Sequence, residues 1–126
     1  MESLHRSASI EIECVSQQIL YCNWLGTQSY QSIVDSGAII LKLIQENHFT
    51  KVLNDNTKVT DHWYSGAQWT TQQWFPAIVA AGVQRFAWIV SPNVFARLSA
   101  ERAASKVKVV KIFKDYNEAY TWLSQS

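Results

Sequence analysis

Residues 83–92 read VQRFAWIVSP, and this stretch decides the fold. Val83 to Val90 is a nearly continuous apolar run, which is typical of a strand buried on both faces of a parallel sheet. Ser91 and Pro92 then predict a helix start, with Ser91 as the N-cap and Pro92 in the first helical position. A buried strand followed at once by a helix indicates an α/β fold with a mostly parallel sheet.

Downstream of this stretch, the pattern predicts a helix, a strand and a second helix. Phe95 and Leu98 give the first helix its apolar face. Val107 to Phe113 is the last strand. Asp115, with Glu118 three positions later, predicts the cap of a short terminal helix. Lysines in and beside the strand indicate a sheet edge protected by charge: Lys106, Lys108, Lys111 and Lys114.

Upstream, the chain begins with a predicted β-hairpin. Ile10 to Cys14 alternates apolar and acidic residues, and Ile19 to Leu25 is apolar on both faces, as expected for two antiparallel strands. If the turn is centred on Gln18, Cys14 faces Cys22 across the hairpin. Both cysteines lie in apolar strand patterns, so we expect buried thiols and predict no catalytic residue.

The middle of the chain predicts two helices separated by a short strand. Apolar residues at helical spacing place the first helix from near Ser29 to Asn47, capped by Thr27 or Ser29. Phe49 to Leu53 is the strand, and a polar loop follows it. The second helix runs from near Ser65 to Ala81, and Pro76 should kink or split it because proline removes a backbone hydrogen bond.

Length, composition and charge limit the possible functions. The 126 residues are 48% apolar and carry a net charge of +1, which predicts one domain over residues 1–126 and gives no argument for a nucleic-acid partner. No apolar run approaches the roughly 20 residues of a membrane span, and the N-terminus lacks the apolar core of a signal peptide. We therefore expect a cytoplasmic protein with no integral membrane segment. The sequence contains no Gly-rich phosphate loop, no GxSxG elbow and no zinc-spaced Cys/His set, so we also expect no cofactor and no metal.

Several strings resemble small bacterial SpoIIAA-like proteins of the STAS superfamily. The resemblance extends from about Ile10 to Leu123, and it implies an α/β domain in which an N-terminal hairpin leads into a mostly parallel sheet of four or five strands with about four helices. The strings are Val52–Asn56, Trp63, Trp74–Pro76, Gly82, Phe86–Trp88, Ser91–Pro92 and Phe113–Leu123.

The resemblance implies a regulatory or protein-interaction module rather than an enzyme. Well-understood members bind an anti-sigma factor and are switched by phosphorylation of a Ser or Thr in an Asp-Ser-Ser-Gly string that opens the helix after the third strand. The corresponding stretch here is Asp61–Gly66, where Ser65 and Gly66 match but the Asp is displaced. Ser65 is therefore a candidate phospho-acceptor or anion site, with a simple helix cap as the alternative. Thr60 and Thr57 are weaker candidates.

A small-molecule or lipid carrier is the alternative function, since the same fold resembles the SEC14 class. It predicts an aromatic-lined pocket of roughly 300 Å³ or more near the loop after the third strand. On an uninterrupted helix Trp69 and Trp74 point about 140° apart, so one should be partly exposed and could contribute to an apolar ligand site or a homodimer surface. Core packing and turn formation are the alternative interpretations. The candidate ligand or partner surface consists of Asn54, Asp55, Asn56, Asp61, His62, Trp63, Tyr64, Trp69 and Trp74.

The C-terminal half carries most of the basic residues, from Arg97 to Lys114. Such an excess can attract nucleic acid or an anionic membrane surface. The stretch lacks the interleaved aromatic residues that single-strand binders use for stacking. A solvated helix face next to an edge strand is the favoured interpretation.

Overall fold

A computed structural model describes residues 2–16, 18–60 and 64–125. Its strands form one sheet whose spatial order is the order of the sequence. The strands are β1 Glu2–Arg6, β2 Ile10–Ser16, β3 Ile19–Gly26, β4 Lys51–Val59, β5 Arg85–Ile89 and β6 Val110–Phe113. The helices are α1 Tyr30–Asn47, α2 Tyr64–Trp69, a π turn Thr70–Trp74, α3 Phe75–Ala80, α4 Val94–Ala104 and α5 Tyr116–Ser124.

The sheet is antiparallel across β1, β2 and β3 and parallel from β3 to β6. This arrangement confirms the predicted hairpin that leads into a mostly parallel sheet. The predicted count of four or five strands is wrong, because β1 adds a sixth in the described part of the chain. Its residues, Glu2–Arg6, are mostly polar and exposed, so no apolar pattern predicts this strand. Its pairing with β2 alone defines it.

The predicted register of the hairpin is also wrong. Cys14 lies opposite Leu20, while Cys22 lies opposite Ile12. An irregularity after Cys14 shifts the pairing, so the turn is not centred where the sequence placed it. Both cysteines are free thiols.

The polar loop predicted after Leu53 is instead the second half of a long strand. β4 continues to Val59, with Asn54 paired to Trp88 and Asp55 paired to Ile89. Strands on both sides supply backbone partners for β4, and this tertiary pairing overrides the turn preference of Asn and Asp. The consequence is that neighbouring polar residues of this segment alternate between the two faces of the sheet.

Helix α1 matches its prediction, with Ser29 as the N-cap accepting a hydrogen bond from the Ser32 backbone N–H at 3.0 Å. The predicted break near Pro76 is confirmed. The π turn immediately precedes Phe75, whose N–H bonds to the carbonyl of Thr70, five residues back.

Two predictions about α4 are wrong. The helix begins at Val94 and not at Pro92. The Ser91 hydroxyl, two residues ahead of this start, accepts the Asn93 N–H at 3.1 Å and donates to the Val59 carbonyl at 3.2 Å. Leu98 does not face the core, since its side chain is 50% exposed. The described core residues of this helix are the small side chains Ala100 and Ala103.

Helices cover the two faces of the sheet unequally. α1, α3 and α4 contribute to a large apolar core on one face, which we call the α1 face. On the opposite face, which we call the α5 face, α5 packs through Ala119 and Leu123 against a smaller core. Among the described ranges, no helix combines the length and the apolar character needed to cross a membrane.

Candidate functional site

Four tryptophans surround a small cavity on the α1 face: Trp24, Trp69, Trp74 and Trp88. The cavity has a volume of about 30 Å³. A water molecule needs roughly 10–15 Å³ by this measure, so the space suits one or two waters. The sequence placed Trp69 and Trp74 at a candidate ligand site, and the space that they enclose with Trp24 and Trp88 is far less than a ligand-sized volume.

The π turn places Trp69 and Trp74 beside each other. Because a π turn bonds residue i to residue i+5, side chains five apart return to the same side of the helix, and the predicted angle of about 140° between the two rings does not apply. Both rings pack on Gly37 of α1. A Cβ at that position would lie 2.7 Å from Trp69 Cη2 and 3.2 Å from Trp74 Nε1, so only glycine allows this approach without a shift. Trp74 is buried and Trp69 is half-buried, which agrees with the expectation that one of them is partly exposed.

Three polar groups around the cavity form hydrogen bonds within the fold. Trp24 Nε1 donates to Asn54 Oδ1 at 2.7 Å, and Trp74 Nε1 donates to the Gly37 carbonyl at 2.8 Å. The Thr70 hydroxyl donates to the Gly66 carbonyl at 2.9 Å. The first two bonds hold the indoles of Trp24 and Trp74 in place.

Asp55 lies on the α5 face, opposite Asn54. Its Oδ2 accepts the Tyr21 hydroxyl at 2.7 Å, and its Oδ1 accepts the Thr57 backbone N–H at 2.9 Å and the Thr57 hydroxyl at 2.8 Å. The carboxylate is 6% exposed, and three donors compensate its loss of hydration. The cluster predicted for Asn54, Asp55 and Asn56 is thus split, with Asn54 and Asn56 at the cavity and Asp55 behind the sheet.

Tyrosines surround this carboxylate. Tyr21 meets the Tyr116 ring edge-to-face with centroids 5.5 Å apart, and Tyr116 stacks on Tyr120. Burial raises the pKa of Tyr21 above its ordinary value, and the hydrogen bond to Asp55 raises it further. Burial, together with the neighbouring Tyr120, also raises the pKa of Tyr116. The phenols of Tyr21 and Tyr116 therefore stay protonated at neutral pH, and that of Tyr21 donates to Asp55.

The candidate phospho-acceptors lie in different surroundings. Ser65 is exposed in the first turn of α2. The Thr57 hydroxyl donates a hydrogen bond to Asp55, and the Thr60 hydroxyl lies 3.0 Å from the Thr27 hydroxyl. Asp61, His62 and Trp63, which the sequence placed on the same surface, lie outside the described residues.

A surface groove that the sequence did not predict lies between the α2 and π-turn segment and α4. It has a volume of about 510 Å³. Tyr64 and Leu98 border it, together with Arg102 and Lys106. The sequence feature that marks this groove is Leu98, a leucine among small and charged neighbours. The helical pattern predicts it in the core, and the structure leaves it exposed.

Carboxylates, thiols and imidazoles do not assemble into a metal site within the described ranges, where no three of them come together. Cys22, the most deeply buried of the thiols, has a pKa raised by burial. A raised pKa disfavours the thiolate, which is the nucleophilic form. Cys22 therefore lacks the surroundings of an activated nucleophile.

Two solved structures of SpoIIAA are similar to this chain in fold. The anti-sigma factor antagonist SpoIIAA in its unphosphorylated form has a TM-score of 0.64 at 12% identity, covering 90% of this chain and 94% of that chain. The Bacillus cell fate determinant SpoIIAA in the phosphorylated form has a TM-score of 0.63 at 15% identity, covering 90% and 98%.

An uncharacterised DUF3478-family protein of Shewanella loihica PV-4 with a SpoIIAA-like fold is similar over 98% of both chains, with a TM-score of 0.58 at 18% identity. No protein-family model matches the sequence, and no curated protein matches it. The chain therefore has a SpoIIAA-like fold, as its sequence predicted.

Proposed function

We propose, from the SpoIIAA-like fold of this chain, that it is a non-enzymatic regulatory module of the STAS type that acts by binding a protein partner. The observation that carries the proposal is the structural likeness to an anti-sigma factor antagonist over 90% of the chain. That protein is known in unphosphorylated and phosphorylated forms. Because a fold hosts more than one function, the site must support the proposal independently.

The geometry of the site favours binding over chemistry. Asn54 and Asp55, the polar centre of the candidate surface, are bonded to Trp24 and Tyr21 within the fold. A general base needs a free lone pair within hydrogen-bond reach of a substrate, whereas these oxygens face neighbouring side chains. Their arrangement is that of groups that hold β4 in register.

The carrier function is not favoured. It required an aromatic-lined pocket of roughly 300 Å³ or more, and the cavity between the tryptophans measures about 30 Å³. A lipid or metabolite would enter only if α1 and the π turn moved apart. The larger depressions are open grooves on the surface, which suit a macromolecular partner.

Tyr64 marks the surface through which we propose that a partner binds. It is 49% exposed at the start of α2, next to the exposed Ser65. Tyrosine is enriched in protein interfaces because its ring supplies contact area and its hydroxyl a hydrogen bond. The start of α2 therefore combines an aromatic anchor with a modifiable hydroxyl.

Photo-crosslinking in the cells that make this protein tests the proposal. Benzoylphenylalanine in place of Tyr64 should give a discrete protein adduct on irradiation. The matched control has the same substitution at Glu118, which is exposed on α5 at the opposite face. The proposal fails if position 64 gives no protein adduct, or if both positions give the same set of adducts.

Ser65 is the proposed switch of this module. Its phosphorylation would add a charge of about −1.5 to −2 beside Tyr64. We expect the chain purified from its own cells to carry an additional mass of about 80 Da, one phosphate group, and the Ser65→Ala chain to lack it. The same mass on the Ser65→Ala chain would move the switch to another hydroxyl, and Thr60→Ala is the control for that result.

A further inference from the structure

The groove between α2 and α4 continues into a longer trough. A second depression of about 460 Å³ runs along α3 and shares Thr71 and Lys106 with the first. Four large hydrophobic side chains are at least 41% exposed in the described residues: Tyr30, Tyr64, Val79 and Leu98. Three of them, all but Tyr30, line this trough. Among the described residues, the exposed large hydrophobic side chains are therefore concentrated along this trough, between α4 and the segment from α2 to α3.

The charge of the trough is positive. The segment from Tyr64 to Ala80 contains no Asp, Glu, Lys or Arg, so the charged side chains that line the trough are Arg102 and Lys106. Among the described residues, neither of them forms an ion pair. The carboxylate of α4, Glu101, instead pairs with Arg97 at 3.9 Å. Two uncompensated cations thus lie among exposed apolar side chains.

We propose that this trough docks an acidic amphipathic segment of a partner protein. Its apolar side chains would pack on Tyr64, Leu98 and Val79, and its carboxylates would pair with Arg102 and Lys106. The inference rests on the proposed function and adds the chemistry of the partner. A nucleic acid fits the lining less well, since single strands are held by longer basic tracks with several stacking rings.

A synthetic helical peptide tests this docking. The probe has about 16 residues, roughly 24 Å as a helix, with Glu on one face and Leu on the other, and its binding to the full chain is followed by fluorescence polarisation. The comparison peptide has Gln in place of every Glu. We expect saturable binding of the Glu peptide that weakens as added salt shortens the Debye length from about 10 Å to about 3 Å, and much weaker binding of the Gln peptide.

Matched charge reversals locate the site. Arg102→Glu with Lys106→Glu should lower the affinity at least about tenfold, as expected when attraction becomes repulsion across an interface. Lys42→Glu with Lys114→Glu changes the net charge equally at exposed positions outside the trough, and it should leave the affinity within about twofold. Leu98→Ala tests the apolar anchor and should also weaken binding, since it removes exposed surface without disturbing the core.

Several results would overturn the docking proposal. They are the absence of saturable binding, equal affinity for both peptides, equal losses in the two double variants, and tighter binding of a single-stranded RNA through the same cations. Dissociation of a dimer by the Arg102 and Lys106 reversals would assign the trough to a second copy of this chain.

The two proposals can fail separately. If the Tyr64 crosslink forms but the acidic peptide does not bind, the proposed function stands and only the proposed chemistry of the partner is wrong. Peptide binding without a cellular adduct at position 64 removes the proposed function.

Discussion

The α1 face and the α5 face of the sheet are held together in different ways. On the α1 face, Trp69 and Trp74 pack directly on Gly37, and about 30 Å³ of space remains between the indoles. On the α5 face, the Tyr21 hydroxyl and Asp55 join neighbouring strands through a hydrogen bond of 2.7 Å.

The difference shows how one strand can support two kinds of core. Successive residues of β4 point to opposite faces, so Asn54 orients an indole on one side while Asp55 binds a phenol on the other. The α1 face depends on the fit of rings and backbone, and the α5 face depends on satisfied polar groups. Substitutions on the two faces should therefore fail for different reasons.

The largest expected effect is the loss of a buried ring on the α1 face. Trp74→Ala removes an indole that is 4% exposed and its hydrogen bond to Gly37, and it should lower the free energy of unfolding by about 3–5 kcal/mol. Urea denaturation followed by circular dichroism measures the loss. Trp122→Ala, on the half-buried α5-face indole, should cost less, and equal losses would contradict the contrast between the two faces.

Close packing on Gly37 predicts the second effect. Gly37→Ala gains helix propensity, worth up to about 1 kcal/mol, but its Cβ would lie 2.7 Å from Trp69 Cη2. Overpacking costs about 1–3 kcal/mol, so we expect a net loss in the free energy of unfolding.

A double-mutant cycle separates these two contributions. A Trp69→Phe background removes the closest ring atoms but leaves Trp74 Nε1 at 3.2 Å from the added Cβ. Gly37→Ala should therefore cost less there than in the parent chain, and the coupling should appear in urea denaturation of the four chains. Ala38→Gly, at the exposed neighbouring position of α1, measures how much the difference in helix propensity between Ala and Gly changes the free energy of unfolding without a packing contribution. Additive effects of the two substitutions would show that the approach to Trp69 does not limit position 37.

On the α5 face, Tyr21→Phe removes the donor to Asp55 Oδ2 while keeping the ring against Tyr116. A buried carboxylate oxygen left without its partner should cost about 1–3 kcal/mol in the free energy of unfolding. Tyr120→Phe, which keeps the stacked ring, should change it by less than about 0.5 kcal/mol. Equal small effects of the two substitutions in urea denaturation would mean that the hydroxyl of Tyr21 does not stabilise this face.

Alkaline unfolding gives the smallest expected effect. Burial and Asp55 raise the pKa of Tyr21 above its ordinary 10.0, so above pH 10 the unfolded chain loses a proton that the folded chain retains. The stabilisation is present below pH 10 and declines as the pH rises further.

Variants at the two buried groups test this assignment. Urea denaturation between about pH 8 and 11 should show the free energy of unfolding falling less steeply for Tyr21→Phe than for the parent chain. Burial also raises the pKa of Cys22 above its ordinary 9.0. The free energy of unfolding should therefore also decline above pH 9 because of Cys22, and Cys22→Ala should remove that part of the decline. Parallel curves for all three chains would contradict the assignment.

Local patterns predicted the elements whose cause is local. Ser29 and Asp115 cap their helices as expected, because a cap depends on a side chain and the backbone two or three residues away. Pro76 interrupts its helix for the equally local reason that proline lacks an N–H. The apolar run ending at Val90 correctly predicted a central parallel strand.

Features that depend on pairing between distant segments were missed. The strand Glu2–Arg6 exists because β2 lies beside it, and Asn54 to Lys58 are extended because β3 and β5 flank much of that segment. The apolar spacing within α4 predicts Leu98 in the core. The packing of the facing helices instead leaves it exposed at the trough. Of the four rings around the cavity, the predicted site included Trp69 and Trp74, but neither Trp24 and Trp88 nor the convergence on Gly37.

The sequence by itself determined the order of strands and helices from β2 to α5 and the mostly parallel sheet, because apolar periodicity, caps and helix breakers act over a few residues. The resemblance of its strings to a known family predicted the SpoIIAA-like fold. Only the tertiary structure decided which polar residues of β4 share a face, how small the indole-lined cavity is, and where apolar and basic side chains meet on the surface. Those properties depend on strand register and on the distance between packed helices, which arise from contacts between segments far apart in the chain.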